Sequence, residues 1–497
     1  MREKTMAKTV RTALDDLDYG PADSPEAHGR MRMPRLPEGV VRRRLLRDVT
    51  LIAWPSLVEL VLTQLTTMAD QIMVGQMPGA LGVQGLSAVG LASMPKYLVM
   101  TMIFAMNVGT TTVIGRARGQ QNREKANHVF AQAMVLALLI STAMMILGLG
   151  IAGWLIAFMG GEGITPETMA LGTEYLRIQF WGLVPLSMAT TVTAALRGVG
   201  DTKTPMLYNT VANVLNVILN YIMIYGRFGC PAMGVVGASW ATVIAQTAAF
   251  GIAMAVCFGK KHYLRLKLNR QFRFDRETIG DIAAIGLPSM IETFFMRFGL
   301  MIFQRTVAGL GDVVYATHQV VLSVQTMSFM FGQAFGNAST TLAAQCLGKR
   351  RFDMAALYVR MTRWLGLAAS AALMAVLVLL DEELILLHNS TPEVVAQGAP
   401  VLWLVALIQP MHGDQFIVSG GLRGAGDTRY SAMCVFITTL VVRPLCCMLF
   451  IDVLQLGLFG AWYAIACDQL LRSGLISLRY HLGSWKATAR RRMTGIA

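Results

Sequence analysis

The 497 residues are 54% hydrophobic and 14% charged, with a mean hydropathy of +0.51, whereas soluble domains carry about 25% charged residues. That balance excludes an ordinary water-soluble globule and makes lipid the expected solvent. The formal net charge of +14 would suit nucleic acid if the basic residues formed one patch, but they are spread in blocks along the chain.

Residues 1–44 are polar, with Pro and Gly scattered through them and no apolar core of the signal-peptide kind. They read as a flexible cytoplasmic tail. Charge-free runs follow, such as Val135–Met159 and Trp364–Leu380, each near the ~20 apolar residues that cross a bilayer core. The pattern predicts about twelve spans. Those of the first half fall at roughly 50–75, 88–113, 127–150, 170–192, 204–226 and 234–258, and the second half repeats them from about 281. The expected organisation is an amino-terminal six-helix bundle over 45–258, a basic linker over 259–280, a second bundle over 281–482 and a basic tail over 483–497.

Basic residues crowd before the first span (Arg42, Arg43, Arg44, Arg47), after the second (Arg116, Arg118, Arg123, Lys125) and in the linker. They recur at Lys349, Arg350 and Arg351 and at the end of the chain, while the alternate loops 76–87, 158–172, 309–315 and 381–397 hold no Lys or Arg. This is the positive-inside pattern of a multi-pass plasma-membrane protein with both termini cytoplasmic. Anionic lipid accounts for the charge, and no nucleic-acid partner is expected. The seven cysteines form no CxxC pair and read as small packing residues.

The chain repeats itself. Leu-Arg-Gly-Val-Gly-Asp-Thr at 196–202 returns as Leu-Arg-Gly-Ala-Gly-Asp-Thr at 422–428. Pro55-Ser56 with Glu59 returns as Pro288-Ser289 with Glu292, Thr112 through Gly119 as Thr341 through Gly348, and Gly234-x-x-Gly237-Ala238 as Gly457-x-x-Gly460-Ala461. With an even number of spans each, the halves are expected to be related by an axis along the membrane normal, with a central cavity between them. In the repeated loops Gly198, Gly200, Gly424 and Gly426 are expected to permit a tight turn. Asp201 and Asp427 are placed to cap the helices that follow, and Arg197 and Arg423 to lie at the cytoplasmic edge.

These paired loops, the six-span spacing and the Met-Ala-Asp-Gln-Ile-Met-Val-Gly ending of the first span resemble the multidrug and toxic compound extrusion (MATE) exporters over almost everything from Leu45 to Leu482. The resemblance implies two six-helix bundles forming a V, and drug export driven by sodium or proton influx. It also implies a cation site in the amino-terminal lobe. Where one branch carries Asn-x-x-x-Asp on the fifth span, this chain has Asn216-x-x-x-Asn220, as in the NorM-like branch.

The residues point to a site of their own. No G-x-x-x-x-G-K-[ST] cradle, H-E-x-x-H or paired-Cys metal spacing is present, so the chain is not expected to be an enzyme, and pumping must draw on an ion gradient. Ionisable groups inside spans are costly and are functional candidates. Glu59, Thr63, Thr66 or Thr67, and Asp70 share one helical face of the first span, and Asn209, Asn213, Asn216 and Asn220 share one face of the fifth. By depth, Asp70, Asn216, Asn220 and Thr242 can meet at one level, with hard oxygens suited to Na+ or a proton relay and no other cofactor. Glu59, Gln71, Asn209, Asn213, Glu292, Arg297 and Asp414 are candidates for the substrate cavity. Arg297 is a possible partner of Glu292 at i+5. In the second half Phe303 stands where the first has Asp70, so the cation site is expected in one half only. The function expected is antiport of drug-like, often cationic compounds by a monomer. The rivals are a flippase for lipid-linked or anionic precursors, for which only Lys96, Arg297, Arg305 and Arg443 are available, and a non-transporting scaffold.

Overall fold

The computed structural model describes residues 41–77, 80–160, 165–259, 262–266, 274–308, 310, 312–386 and 392–493. Residues 1–40 of the expected tail, residues 260–261 and 267–273 of the linker and the side chain of Arg305 lie outside them. Nearly all described residues are helical, and none forms a strand. The first half supplies α1 (Arg42–Gly75), α2 (Ala80–Gly119), α3 (Arg123–Gly160), α4 (Pro166–Trp181), α5 (Leu183–Gly198), α6 (Lys203–Tyr225) and α7 (Gly234–Phe258). The second supplies α8 (Arg276–Ala308), α9 (Asp312–Gly348), α10 (Phe352–Leu379), the short α11 (Asp381–Leu386) and α12 (Pro392–Ala425). They are followed by α13 (Thr428–Val435), α14 (Arg443–Cys447), α15 (Gly457–Leu482) and α16 (Ser484–Met493).

Eight of these helical segments are long and apolar enough to cross a membrane on that ground alone. Large apolar side chains stay exposed on outer faces, among them Trp154, Phe158 and Leu379, which marks a surface made for acyl chains rather than water. The chain is thus an all-helical, multi-pass membrane protein. The second, third and fourth predicted spans are overrun at both ends and the first at its start, because helical hydrogen bonding continues past the apolar stretch; α6 falls within one residue of 204–226 and α7 matches 234–258 throughout.

Contacts group the described residues into two compact units. One comprises Val58–Ile114 and Asn122–Gly286; the other comprises 41–57, Gly115–Gln121 and the chain from Leu287. The first turns of α1 belong with the second unit because Leu45, Val49 and Ile52 are buried in its core with Leu342, Tyr358 and Leu422, and the Tyr358 hydroxyl donates to Asp48 Oδ2 at 2.8 Å. Within the first unit the described linker residues are tied to the start of α3. Arg123 donates to the carbonyls of Tyr263 and His262 at 2.7 and 2.9 Å, and Asn127 Oδ1 accepts the Arg265 amide at 2.8 Å. His128 Nε2 meets Asp275 Oδ2 at 3.0 Å. Hydrogen bonds from the Thr278 hydroxyl and from His128 pull the Asp275 carboxyl down to about 2, so this anchor persists at any pH above the ordinary aspartate value of 3.8 and is lost only as pH falls from there toward 2.

The repeated Leu-Arg-Gly loops share one backbone turn. The Gly200 amide donates to the Arg197 carbonyl and the Asp201 amide to the Leu196 carbonyl, both at 2.9 Å, and Gly426 and Asp427 repeat both bonds at 2.9 Å. This is a Schellman stop, which needs a left-handed residue at its end; Gly200 and Gly426 supply it at φ +88° and +80°. Gly198 and Gly424 have a different task from the turn expected of them. They remain helical, and a Cβ would sit 2.8 Å from the Thr111 carbonyl at Gly198 and 2.5 Å from the Thr340 carbonyl at Gly424. They let α5 press on α2, and α12 on α9. Asp201 caps as expected, accepting the Thr204 amide at 3.1 Å and its hydroxyl at 2.8 Å. Asp427 does not: it makes no capping bond and accepts Arg479 Nε at 2.9 Å instead, a guanidinium outcompeting a neutral amide.

Between α13 and α15 the helix widens into π-helical turns at Phe436–Val442 and Met448–Val453. Pro444 removes the amide that would bond the carbonyl four residues back, and its ring crowds that carbonyl. Accommodating the misfit, the helix loosens around Arg443.

Candidate functional site

In the first unit, α1 and α6 run parallel with their polar faces in register. Asn209 Nδ2 donates to Glu59 Oε1 at 2.7 Å, Asn213 Nδ2 to Thr63 Oγ1 at 3.4 Å, and Asn220 Nδ2 to Asp70 Oδ1. Each pair is 150 residues apart, and that constant offset is what two parallel helices of equal rise produce. Tyr225 closes the row by donating to the Met73 carbonyl at 2.9 Å. Val74, Ile224, Val235 and Ala238 form the apolar seal at this end.

The four residues expected to meet do so. Asn220 Nδ2 also reaches Asn216 Oδ1 at 3.3 Å, and Asn216 Nδ2 reaches Thr242 Oγ1 on α7 at 3.3 Å. Turned so that its nitrogen faces the carboxylate, Asn216 donates to Asp70 Oδ1 at 2.9 Å and accepts the Thr242 amide at 3.3 Å, which satisfies both ends of its amide. Asn220 is fully buried and Asn216 nearly so, and Asn220 Oδ1 has no hydrogen-bond partner. A carboxylate, two amide oxygens and a hydroxyl are a hard-oxygen set suited to Na+ or a proton. No group of three or more His, Cys, Asp or Glu of metal-binding kind occurs among the described residues. The ammonium of Lys96 on α2 lies within electrostatic reach of Asp70, a neighbour the sequence reading left out because it sought partners only on the first, fifth and sixth spans. Gln71, beside Asp70, is exposed.

Other candidates lie elsewhere. Both oxygens of Glu59 are engaged, one by Asn209 and the other by Arg197 Nη2 at 2.7 Å, so Arg197 clasps α1 to the end of α5. Glu292 is buried and faces Arg423 at 3.7 Å, not Arg297, which is exposed. Glu292 and Arg423 are the repeat counterparts of Glu59 and Arg197, so the same clasp closes in both halves. A partner on the same helix at i+5 points away around the helix, whereas α12 brings Arg423 opposite. Asp414 is held by Arg363 through two bonds of 2.5 and 2.8 Å, with the Ser477 hydroxyl at 3.0 Å. Asp468 and Arg472 of α15, absent from the sequence candidates, are buried with Arg443. A charged pair four residues apart in mid-helix was the signal that marks them.

The sequence model of the MatE family matches this chain twice, over residues 55–222 and 288–449, so each copy opens on the repeated proline of α1 or α8. Among curated relatives, the probable multidrug resistance protein NorM of Thermotoga maritima is 28% identical over 90% of this chain and 94% of its own. The multidrug resistance protein PmpM of Pseudomonas aeruginosa is 29% identical over 80% of this chain and 83% of its own. A solved outward-facing MATE family transporter of the MOP superfamily superposes with a TM-score of 0.82 at 22% identity, covering 91% of this chain and all of that one, which fixes the fold. With both copies of the family's sequence model accounting for more than half of its length, the chain belongs to the MatE family.

Proposed function

We propose that the chain is a secondary antiporter that exports amphipathic, often cationic organic compounds from the cytoplasm in exchange for Na+ or H+, with no enzymatic step. The observation that carries the coupling is the Asp70 carboxylate held by Asn216 and Asn220 beside Thr242. The curated relatives, named as multidrug resistance proteins, support a drug-like substrate. The positive-inside charge pattern supports cytoplasmic termini.

In the state open to the outside, Na+ or a proton neutralises Asp70. The amides of Asn216 and Asn220 then lose the charge they donate to, α1 loosens from α6, and the compound bound beside them is released. Opening to the cytoplasm discharges the cation and restores the hydrogen bonds. The cation moves this equilibrium only by its differential affinity for the two states, about 1.4 kcal/mol for each tenfold preference. Lys96 competes with the cation for the same carboxylate, which keeps binding reversible.

The test is efflux of a fluorescent organic cation from proteoliposomes with the sodium and pH gradients clamped separately. One gradient is expected to drive efflux by the wild type. Asp70→Asn is expected to abolish it while purifying from the membrane as well as the wild type. Efflux at the wild-type rate by that variant refutes the assignment.

A further inference from the structure

One cluster in the second unit buries two guanidiniums directly against a single carboxylate. Arg443 of α14 and Asp468 and Arg472 of α15 are 4%, 0% and 2% exposed. The single Asp468 carboxylate serves both guanidiniums: it accepts Arg443 through Nε at 3.0 Å and through Nη2, and Arg472 Nη2 at 2.6 Å on its other oxygen. Glu292 lies within electrostatic reach of Arg472 but faces Arg423. In direct contact, two buried guanidiniums share one carboxylate. His412, also buried and within reach of the cluster, adds no negative charge. Arginine cannot shed its proton to relieve the imbalance, and an unbalanced charge amid membrane spans is costly.

Hydrogen bonding makes the same demand. Arg443 Nη1 and Arg472 Nε are buried donors with no partner, where buried polar groups are nearly always paired. Both guanidiniums touch the same oxygen, Asp468 Oδ2, so they lie side by side. An acceptor carrying one negative charge answers both the charge and the donors. The walls are aromatic: the Arg443 guanidinium lies 5.6 Å from the Phe303 ring centre, His318 packs edge-on against Phe303 at 5.5 Å, and Trp462 lies tilted against His318 at 5.4 Å. Phe303 is the repeat counterpart of Asp70. Where the first half places a carboxylate, the second places a ring beneath a guanidinium, so the polarity of the two positions is inverted.

We propose that the Arg443–Asp468–Arg472 cluster is a binding site for a small monovalent anion, either chloride or the carboxylate of a bound compound. The inference is independent of the coupling role of Asp70. It is tested by equilibrium binding of radioactive chloride to the purified full-length protein, with gluconate holding ionic strength constant. One saturable site per chain is expected, and the lack of saturable binding overturns the proposal. Arg443→Met is expected to weaken binding at least tenfold; unchanged affinity overturns it. Should that variant not accumulate, Arg443→Lys keeps the charge but loses the fork, and the same tenfold loss is expected, with unchanged affinity again decisive against the site. Asp70→Asn is expected to bind chloride as the wild type does, and loss of binding there overturns the placement in the second half. Displacement of chloride by acetate assigns the site to carboxylates as well as halides, and binding without displacement assigns it to halide.

Discussion

Glu59 accepts from Arg197 and from Asn209, and Glu292 repeats the first of these contacts with Arg423 at a longer distance. Removing the cation from a buried pair strands the carboxylate, at a cost of roughly 3–5 kcal/mol. Arg197→Met is therefore expected to lower the unfolding temperature in detergent well below that of the wild type, and Arg423→Met by less, because its pair is already stretched to 3.7 Å. Adding Glu59→Gln to Arg197→Met is expected to recover part of the loss, as coupled neighbours do; additive losses would show that the two do not form a clasp. The residues of this clasp were visible in the sequence as repeated motifs, but their pairing was not. Sequence spacing reveals which residues share a helical face, and so Asp70, Asn216 and Asn220 could be set at one level by counting turns. It does not reveal which neighbouring helix faces them, and for that reason Arg197, Arg423, Arg363 and Lys96 were missed as partners.

Helix contact in this protein is set by positions where a backbone must approach a backbone. Gly424→Ala would put a methyl group 2.5 Å from the Thr340 carbonyl and Gly198→Ala one 2.8 Å from that of Thr111. Neither backbone can yield easily, so each change is expected to cost about 1–3 kcal/mol. Gly251 of α7 is the control: nothing lies within 4 Å of a Cβ there, and Gly251→Ala is expected to be neutral or to stabilise by up to ~1 kcal/mol through helix propensity. Thermal unfolding in detergent ranks the three, and a Gly424→Ala as stable as Gly251→Ala would dismiss the contact. At this scale the helices themselves were legible, since long apolar runs bounded by charged loops leave few alternatives. Their interruptions were less so. The break at Gly182 and the π-helical turns around Arg443 arise where Pro185 and Pro444 lack the amide that would bond the carbonyl four residues back, and neither disturbs the hydropathy pattern from which spans are read.

For the molecule as a whole, the direction of exchange depends on which side each loop faces, and one native side chain can report it. Cys230, in the loop between α6 and α7, is exposed; Cys257, Cys346, Cys434 and Cys447 are buried, and Cys446 and Cys467 only half-exposed within spans. With Lys and Arg concentrated before α1, between α2 and α3 and between α7 and α8, the proposed cytoplasmic termini predict that the α6–α7 loop lies outside the cell. Arg227 is the lone basic residue there, too little charge to hold the loop in the cytoplasm against those blocks. A membrane-impermeant maleimide added to intact cells is expected to label the protein once, and Cys230→Ser to remove the label. Labelling confined to inside-out vesicles would reverse the orientation. The Asp70 cluster, near the same end of α1 and α6 as this loop, would then face the cytoplasm, and a cation descending its gradient into the cell could no longer reach it from outside to expel a compound.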